Sequence, residues 1–211
     1  ARLAVGGQVV DLWGPHGHHR EVYLPMYGPG QADNAVAALT AVEAFLDGPL
    51  GDDVVAEGLG GIALPGRMEV LARHPLVVAD GAHNKDAARH LASTIPEAFP
   101  SSRLILVLGV LAPHDPTEII DELSALSPEV VITCTAPSGR AVPAELLAAV
   151  GADRGLEVEA VPEAIDAVTR AVGLAGEDGL VLVAGTFYIV SPARRAVSAL
   201  GSQGGREEEE F

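Results

Sequence analysis

From Arg67 onward the chain repeats one pattern five times: a short apolar run, then a longer amphipathic stretch. The runs are "PLVVAD", "RLILVLGVL", "EVVITC", "LEVEAV" and "GLVLVAG". Helices are expected from Asp86 to Phe99, Pro116 to Leu126, Pro143 to Val150, Pro162 to Ala175 and Ser191 to Leu200. A strand that is apolar at every position has no face to give to water, so both of its faces must be covered. Alternation of such strands with helices predicts an α/β fold, a Rossmann-like, mostly parallel sheet with helices on both faces. "LEVEAV" is the most polar run and is expected at an edge.

Residues before Arg67 read differently. "AVGGQVVDLWG" and "HREVYLP" alternate apolar and polar positions, as half-buried strands do, with "GPHGHH" as the turn between them. His16, His18 and His19 are expected as a polar hairpin tip, because no acidic or cysteine partner stands nearby at metal-ligand spacing. "GQADNAVAALTAVEAFLDG" predicts a helix with Ala35, Leu39, Val42 and Leu46 on one face, stopped by Gly48-Pro49. A second short helix is expected from Asp52 to Leu59. "LPGR" marks a junction, so the expected organisation is 1–64, 65–200 and a disordered, Gly-rich then acidic tail, 201–211.

Bulk properties narrow the function. The chain has 211 residues, a formal charge of −16 and one cysteine, Cys134. So acidic a surface argues against nucleic acid, whose phosphates need cations. No apolar run reaches the roughly 18–20 residues of a membrane span. A single cysteine allows no internal disulfide and fits a reducing, cytoplasmic setting. Lys85 is the only lysine, and no Gly-rich loop ending in Lys-Ser or Lys-Thr is present. That loop is what cradles phosphates in P-loop enzymes. No G-x-G-x-x-G follows any expected strand either, which disfavours a nicotinamide-dependent dehydrogenase.

The chemistry concentrates in "DGAHN", Asp80 to Asn84, where a strand hands over to a helix. Ligands of open parallel sheets bind beyond the carboxyl ends of the strands. Asp80 can accept two hydrogen bonds, from a ribose diol or a substrate ammonium. His83 can donate to a carboxylate or phosphate. Asn84 suits the helix N-cap.

"LPGRMEVL", "PLVVADGAHNKDAARHLA", "RLILVLGVLAPHDPTEI" and "VAGTFYIV" together closely resemble the C-terminal half of the folylpolyglutamate synthase/dihydrofolate synthase family, within the Mur ligase superfamily. "VYLPMYGPGQADNAVAALTAVEAFL" resembles the end of that family's central ATPase domain. The resemblance implies a Mur ligase C-terminal, glutamate ligase domain preceded by the end of the central ATPase domain. It implies an ATP-dependent ligase that adds L-glutamate to dihydropteroate or a folate through an acyl phosphate. By the same resemblance, Asn34 faces adenine, Arg67 reaches the nucleotide, Asp80 holds the ribose, and His83 lies near both nucleotide and glutamate. Thr186 stands where the family usually has Ser, near the glutamate pocket. Gln31, Asn84, His114, Asp115, Ser138 and Arg140 are secondary candidates, Arg140 for anion binding.

Two departures stand out. Gly30-Gln31 replaces the usual His-Gln, and Pro113-His114-Asp115 replaces the usual Asp-Lys-Asp, which removes a fixed cation. The missing phosphate loop implies that phosphoryl transfer and the Mg²⁺ ligands belong to an N-terminal half of the same enzyme, while ATP-binding determinants are present here; this chain alone is expected to be inactive, without metal ligands of its own, and a monomer. The alternatives are a non-catalytic stand-alone binding module of the same fold, or another amide ligase of the superfamily.

Overall fold

The computed structural model describes residues 1–207, with side-chain environments through Ser202. The chain divides into two compact units, Ala1–Arg67 and Met68–Phe211. The division falls three residues beyond the expected boundary at Leu64.

The first unit is a three-stranded antiparallel sheet with two helices. Strands β1 (Arg2–Ala4), β2 (Gly7–Gly14) and β3 (Gly17–Leu24) lie in that order. The hairpin register sets Leu12 opposite His19 and Trp13 opposite His18. Alternation sends Val10, Leu12, Val22 and Leu24 inward, where they meet Ala35, Leu39 and Val55. Those last three come from α1 (Pro29–Leu46) and α2 (Asp52–Gly60).

Two expectations fail here. The buried face of α1 is Ala35, Leu39 and Glu43, while Val42 and Leu46 are exposed. Spacing by four keeps the three side chains in one row. The chain after α1 doubles back, and Glu43 Oε1 accepts the amide of Leu50 at 3.3 Å. A carboxylate is therefore buried where an apolar residue was expected. The histidines are not a single solvated tip either. His16 is exposed, but His18 stacks on Trp13 with ring centroids 4.4 Å apart. His19 points inward and pairs through Nδ1 with Asp52 Oδ1 at 2.6 Å. Its acidic partner lies 33 residues along the chain, beyond the reach of a local spacing argument. No group of three His, Cys, Asp or Glu side chains able to hold a metal ion occurs among the described residues.

The second unit is the expected parallel α/β sheet, with one addition. The strands are β4 (Glu69–Arg73), β5 (Leu76–Ala79), β6 (Leu104–Leu108), β7 (Val130–Thr135), β8 (Val158–Glu163) and β9 (Leu180–Ala184). Their order is β4-β5-β9-β6-β7-β8. β8 is an edge strand, as expected. β4 pairs antiparallel with β5, and the other pairings are parallel. Its residues are only half buried, so it lacks the apolar run that announces the others. Arg194 clamps it in place, donating to both carboxylate oxygens of Glu69 at 3.0 and 2.7 Å.

The helices follow from the connections. α3 (Lys85–Ala98), α4 (Pro116–Ser124) and α5 (Ala144–Ala152) join strands that step in one direction, and they pack on each other in series. α6 (Ala164–Ala175) carries the chain back to β9, so a right-handed crossover puts it on the opposite face with α7 (Val190–Glu207). Alternate strand residues then feed two cores. Val77, Ile105, Ile132 and Val181 join the alanines of α6 and α7. Val78, Leu106 and Leu182, fully or almost fully buried, serve the other face.

α7 runs past its expected end at Leu200, so residues 201–207 of the expected disordered tail are helical. Once a helix is nucleated, each further residue adds a bond for the one residue that it fixes. Residues 208–211 of that tail lie outside the described residues. No described helix is long and apolar enough to cross a membrane.

Candidate functional site

Around β9 the chain reverses its lateral progress. β5 leaves by α3 on one face of the sheet, and β9 leaves by the 3₁₀ turn Phe187–Ile189 and α7 on the other. Their neighbour β6 leaves by α4, on the α3 face. Connections that part to opposite faces open a crevice beyond the strand ends, the usual ligand position on such sheets. Three loops line it: 80–84, 109–115 and 185–187.

Missing side chains let these loops meet. A Cβ on Gly81 would collide with the ring of Phe187. Gly185 has φ +107°, and a Cβ there would strike the carbonyl oxygen of Gly109. A Cβ on Gly109 would press on Ile189 and Cys134.

Asp80 is buried, and its carboxylate organises the first loop. Oδ1 accepts from Ala82 N at 2.7 Å, and Oδ2 accepts from Met68 N at 2.9 Å. Asn84 caps α3, accepting from Ala87 N at 2.9 Å. Asp115 caps α4, accepting from Thr117 N at 2.8 Å.

His83 is half buried, and its Nδ1 lies 2.8 Å from the carbonyl oxygen of Gly81. A carbonyl only accepts, so Nδ1 carries the hydrogen. In the neutral ring Nε2 then holds a lone pair, and His83 presents an acceptor rather than the expected donor. The His114 ring stands edge-on to it with centroids 5.0 Å apart, and Phe187 lies at 6.3 Å on a tilt. The residue that replaces the family's fixed cation is thus beside His83.

Other candidates are placed less centrally. Thr186 is buried at the end of β9, and its hydroxyl accepts from Tyr188 N at 3.3 Å. The Ser138–Arg140 loop is tied to the His114 loop, since Ala112 N donates to Arg140 O at 2.8 Å. The Arg140 guanidinium is exposed and makes no ion pair among the described residues. Gln31, Asn34 and Arg67 belong to the first unit. Asn34 Nδ2 donates to Gln31 Oε1 at 3.3 Å, and the Arg67 side chain is exposed. Phe187 escaped the sequence reading, although an aromatic residue directly after "AGT" was a visible signal.

Charge near the crevice is mostly neutralised. Lys85 lies 3.8 Å from Glu118. Arg89 grips both oxygens of Glu122, and this bond holds the Glu122 carboxyl below the usual range. Beneath the loops, burial pushes the Cys134 thiol up to about 12.

A family model described as "Mur ligase, glutamate ligase domain" matches residues 66–187. Among curated proteins, dihydrofolate synthase/folylpolyglutamate synthase of Mycobacterium tuberculosis is 38% identical over 186 residues, covering 84% of this chain and 38% of that protein. Among solved structures, Mycobacterium tuberculosis folylpolyglutamate synthase complexed with ADP and AMPPCP matches with a TM-score of 0.87 and 34% identity, over 93% of this chain and 46% of that one. Escherichia coli FolC in complex with DHPP and ADP matches with a TM-score of 0.76 and 25% identity, over 88% and 42%. The chain therefore spans less than half the length of these relatives.

Proposed function

Because the chain belongs to the Mur ligase family through its glutamate ligase domain, we propose that it forms the glutamate-receiving part of an ATP-dependent folate-type ligase. The full enzyme adds L-glutamate to dihydropteroate or a folate. The observation that carries this reading is the crevice beyond β5, β9 and β6, where His83, His114 and Phe187 converge.

A nucleotide is the source of the acyl phosphate. Asp80 suits the ribose, because two backbone amides fix its buried carboxylate at the strand end. Asn34 and Arg67 are the adenine and nucleotide candidates of the first unit. By the family resemblance, the metal and the phosphoryl transfer are assigned to a phosphate-binding half of the enzyme. His83 and the Thr186 hydroxyl face the glutamate, with Arg140 as a nearby cation for a carboxylate.

The test is ATP-dependent incorporation of labelled L-glutamate by the full-length ligase, with dihydropteroate and tetrahydrofolate as acceptors. Incorporation into neither would overturn the reading. Asp80→Asn should weaken ATP binding by about 1.5–3 kcal/mol, the worth of a bond to a charged group. Thr186→Val should raise the KM for glutamate and leave that for ATP unchanged.

A further inference from the structure

We propose that His83 is a catalytic residue of that ligation, the group that takes the proton from the incoming amino acid's ammonium. The inference rests on the reading above and adds a chemical step to it.

An amino acid arrives as an ammonium, which has no lone pair and cannot attack a carbonyl. Something at the site must accept its proton, and the acceptor must be neutral, basic and aimed. Aspartate and glutamate are too weakly basic for this at neutral pH unless burial raises them. Lysine and arginine are already protonated. A neutral imidazole with an ordinary pKa of about 6.5 is matched to the task. In the neutral His83 ring the tautomer is fixed for a structural reason: the 2.8 Å bond from Nδ1–H to Gly81 O leaves the lone pair on Nε2. This is the logic of a histidine base held in one tautomer by a partner on its other nitrogen. Here a main-chain carbonyl is that partner, within the same short loop.

The surroundings hold the ring in place. Gly81 lies under Phe187, so the carbonyl that orients His83 is pinned by packing. His114 stands 5.0 Å away, edge to face. The other charged groups on the packed elements are Asp80 after β5, Lys85 and Asp86 on α3, Asp115 and Glu118 at the start of α4, and Arg140 on the loop joined to Ala112. Asp80 is occupied by two amides, and Lys85 is drawn to Glu118. Of the two imidazoles in the crevice, His83 is the one whose Nδ1 is engaged by a main-chain carbonyl, so its acceptor nitrogen is the one the loop geometry fixes.

The step balances without a further reagent. The ammonium gives one proton to His83 Nε2. The freed amine attacks the acyl phosphate carbon, and the C–N bond forms as the C–O bond to phosphate breaks. Inorganic phosphate leaves with the bonding electron pair and takes the second amine proton. The His83 imidazolium then returns its proton to solvent.

Hydroxylamine separates this role from mere binding. It is a neutral nucleophile near neutral pH and traps acyl phosphates as hydroxamates with no base. In the full-length ligase His83→Ala should lower kcat/KM for glutamate by about 10²–10⁴-fold, while hydroxamate formation stays within a small factor of wild type. His83→Gln, which keeps a donor for Gly81 O, should behave the same way. Wild-type kcat/KM for glutamate should level off above the imidazole range, whereas the variants should stay low and keep rising toward the amine's own ionisation. Side-chain ¹⁵N spectra of the chain itself should show His83 as the Nδ1–H tautomer. An Nε2–H tautomer overturns the proposal, as does an equal loss with both nucleophiles. If wild type forms neither hydroxamate nor glutamate adduct, the ligase reading itself falls, and this inference with it.

Discussion

The two sheets of this chain solve the same problem in opposite ways. The six-stranded sheet is clothed on both faces, so Val181, Leu182 and Val183 of β9 are all fully buried. The three-stranded sheet has helices against one face only. On its other face Trp13 is 64% exposed and Tyr23 36%, and on α1 Phe45 is 87% exposed. Burying alternate residues on two faces doubles the apolar area that each strand removes from water, at roughly 25 cal/mol per Å². The second unit thus holds most of the stabilising core. The first displays apolar surface that a folded protein ordinarily covers.

Trp13 is the chain's one tryptophan, so its fluorescence reports the first unit alone. Backbone circular dichroism is dominated by the larger second unit. The largest effect should come from Leu182→Ala, at about 2–5 kcal/mol for a truncation in a packed core. The dichroism midpoint in urea should fall while the Trp13 midpoint stays put. If both fall together, the units do not unfold separately and the comparison breaks.

Gly81→Ala should come next, at about 1–3 kcal/mol for inserting a methyl into a filled space. Adding Phe187→Ala should relieve the strain, because the ring is what the new Cβ meets. If the double variant is no better than the single one, the collision is not what matters at this loop.

Alkali should also act on one unit. Unfolded, Cys134 ionises near its ordinary value of 9.0, but in the fold burial pushes it to about 12. Between those values the unfolded chain holds fewer protons, so stability falls as pH rises through that window, by up to about 1.4 kcal/mol per unit. The loss should appear in dichroism and vanish in Cys134→Ala, measured against its own value at pH 8. An unchanged slope in that variant would show that other groups carry the alkaline loss.

The smallest effect should be Phe45→Ser, within about 0.5 kcal/mol, as expected for a side chain that touches little. A large drop in the Trp13 midpoint would mean that the ring is covered in solution.

How far the sequence could be read follows the same divide. Four of the five expected strands were legible because two-sided burial writes a continuous apolar run, and the edge strand β8 was legible from its place in the alternation. β4 was not, since "EVLAR" is half buried and owes its place to β5 and to the Arg194–Glu69 clamp. Glu43 and His19 defeated pattern reading because each is a buried polar residue, Glu43 meeting the amide of Leu50 as the chain doubles back and His19 meeting Asp52 33 residues away. At the site, the helix caps Asn84 and Asp115 were readable from local spacing. The convergence of His83, His114 and Phe187 was not, because it depends on which strands become neighbours. The tautomer of His83 was beyond reach too, since it turns on one carbonyl two residues away.

The three glycines at the mouth of the sheet bear on how this protein could be re-engineered. Gly81, Gly109 and Gly185 each fill a gap that a neighbouring loop or the strand beneath it has already closed. A designer wishing to admit a bulkier amino acid could not widen the opening one position at a time, because each loop is the mould for the next. Residues 80–84, 109–115 and 185–187 would have to be exchanged as one cassette, and libraries that vary a single loop should return mostly misfolded or unaltered variants.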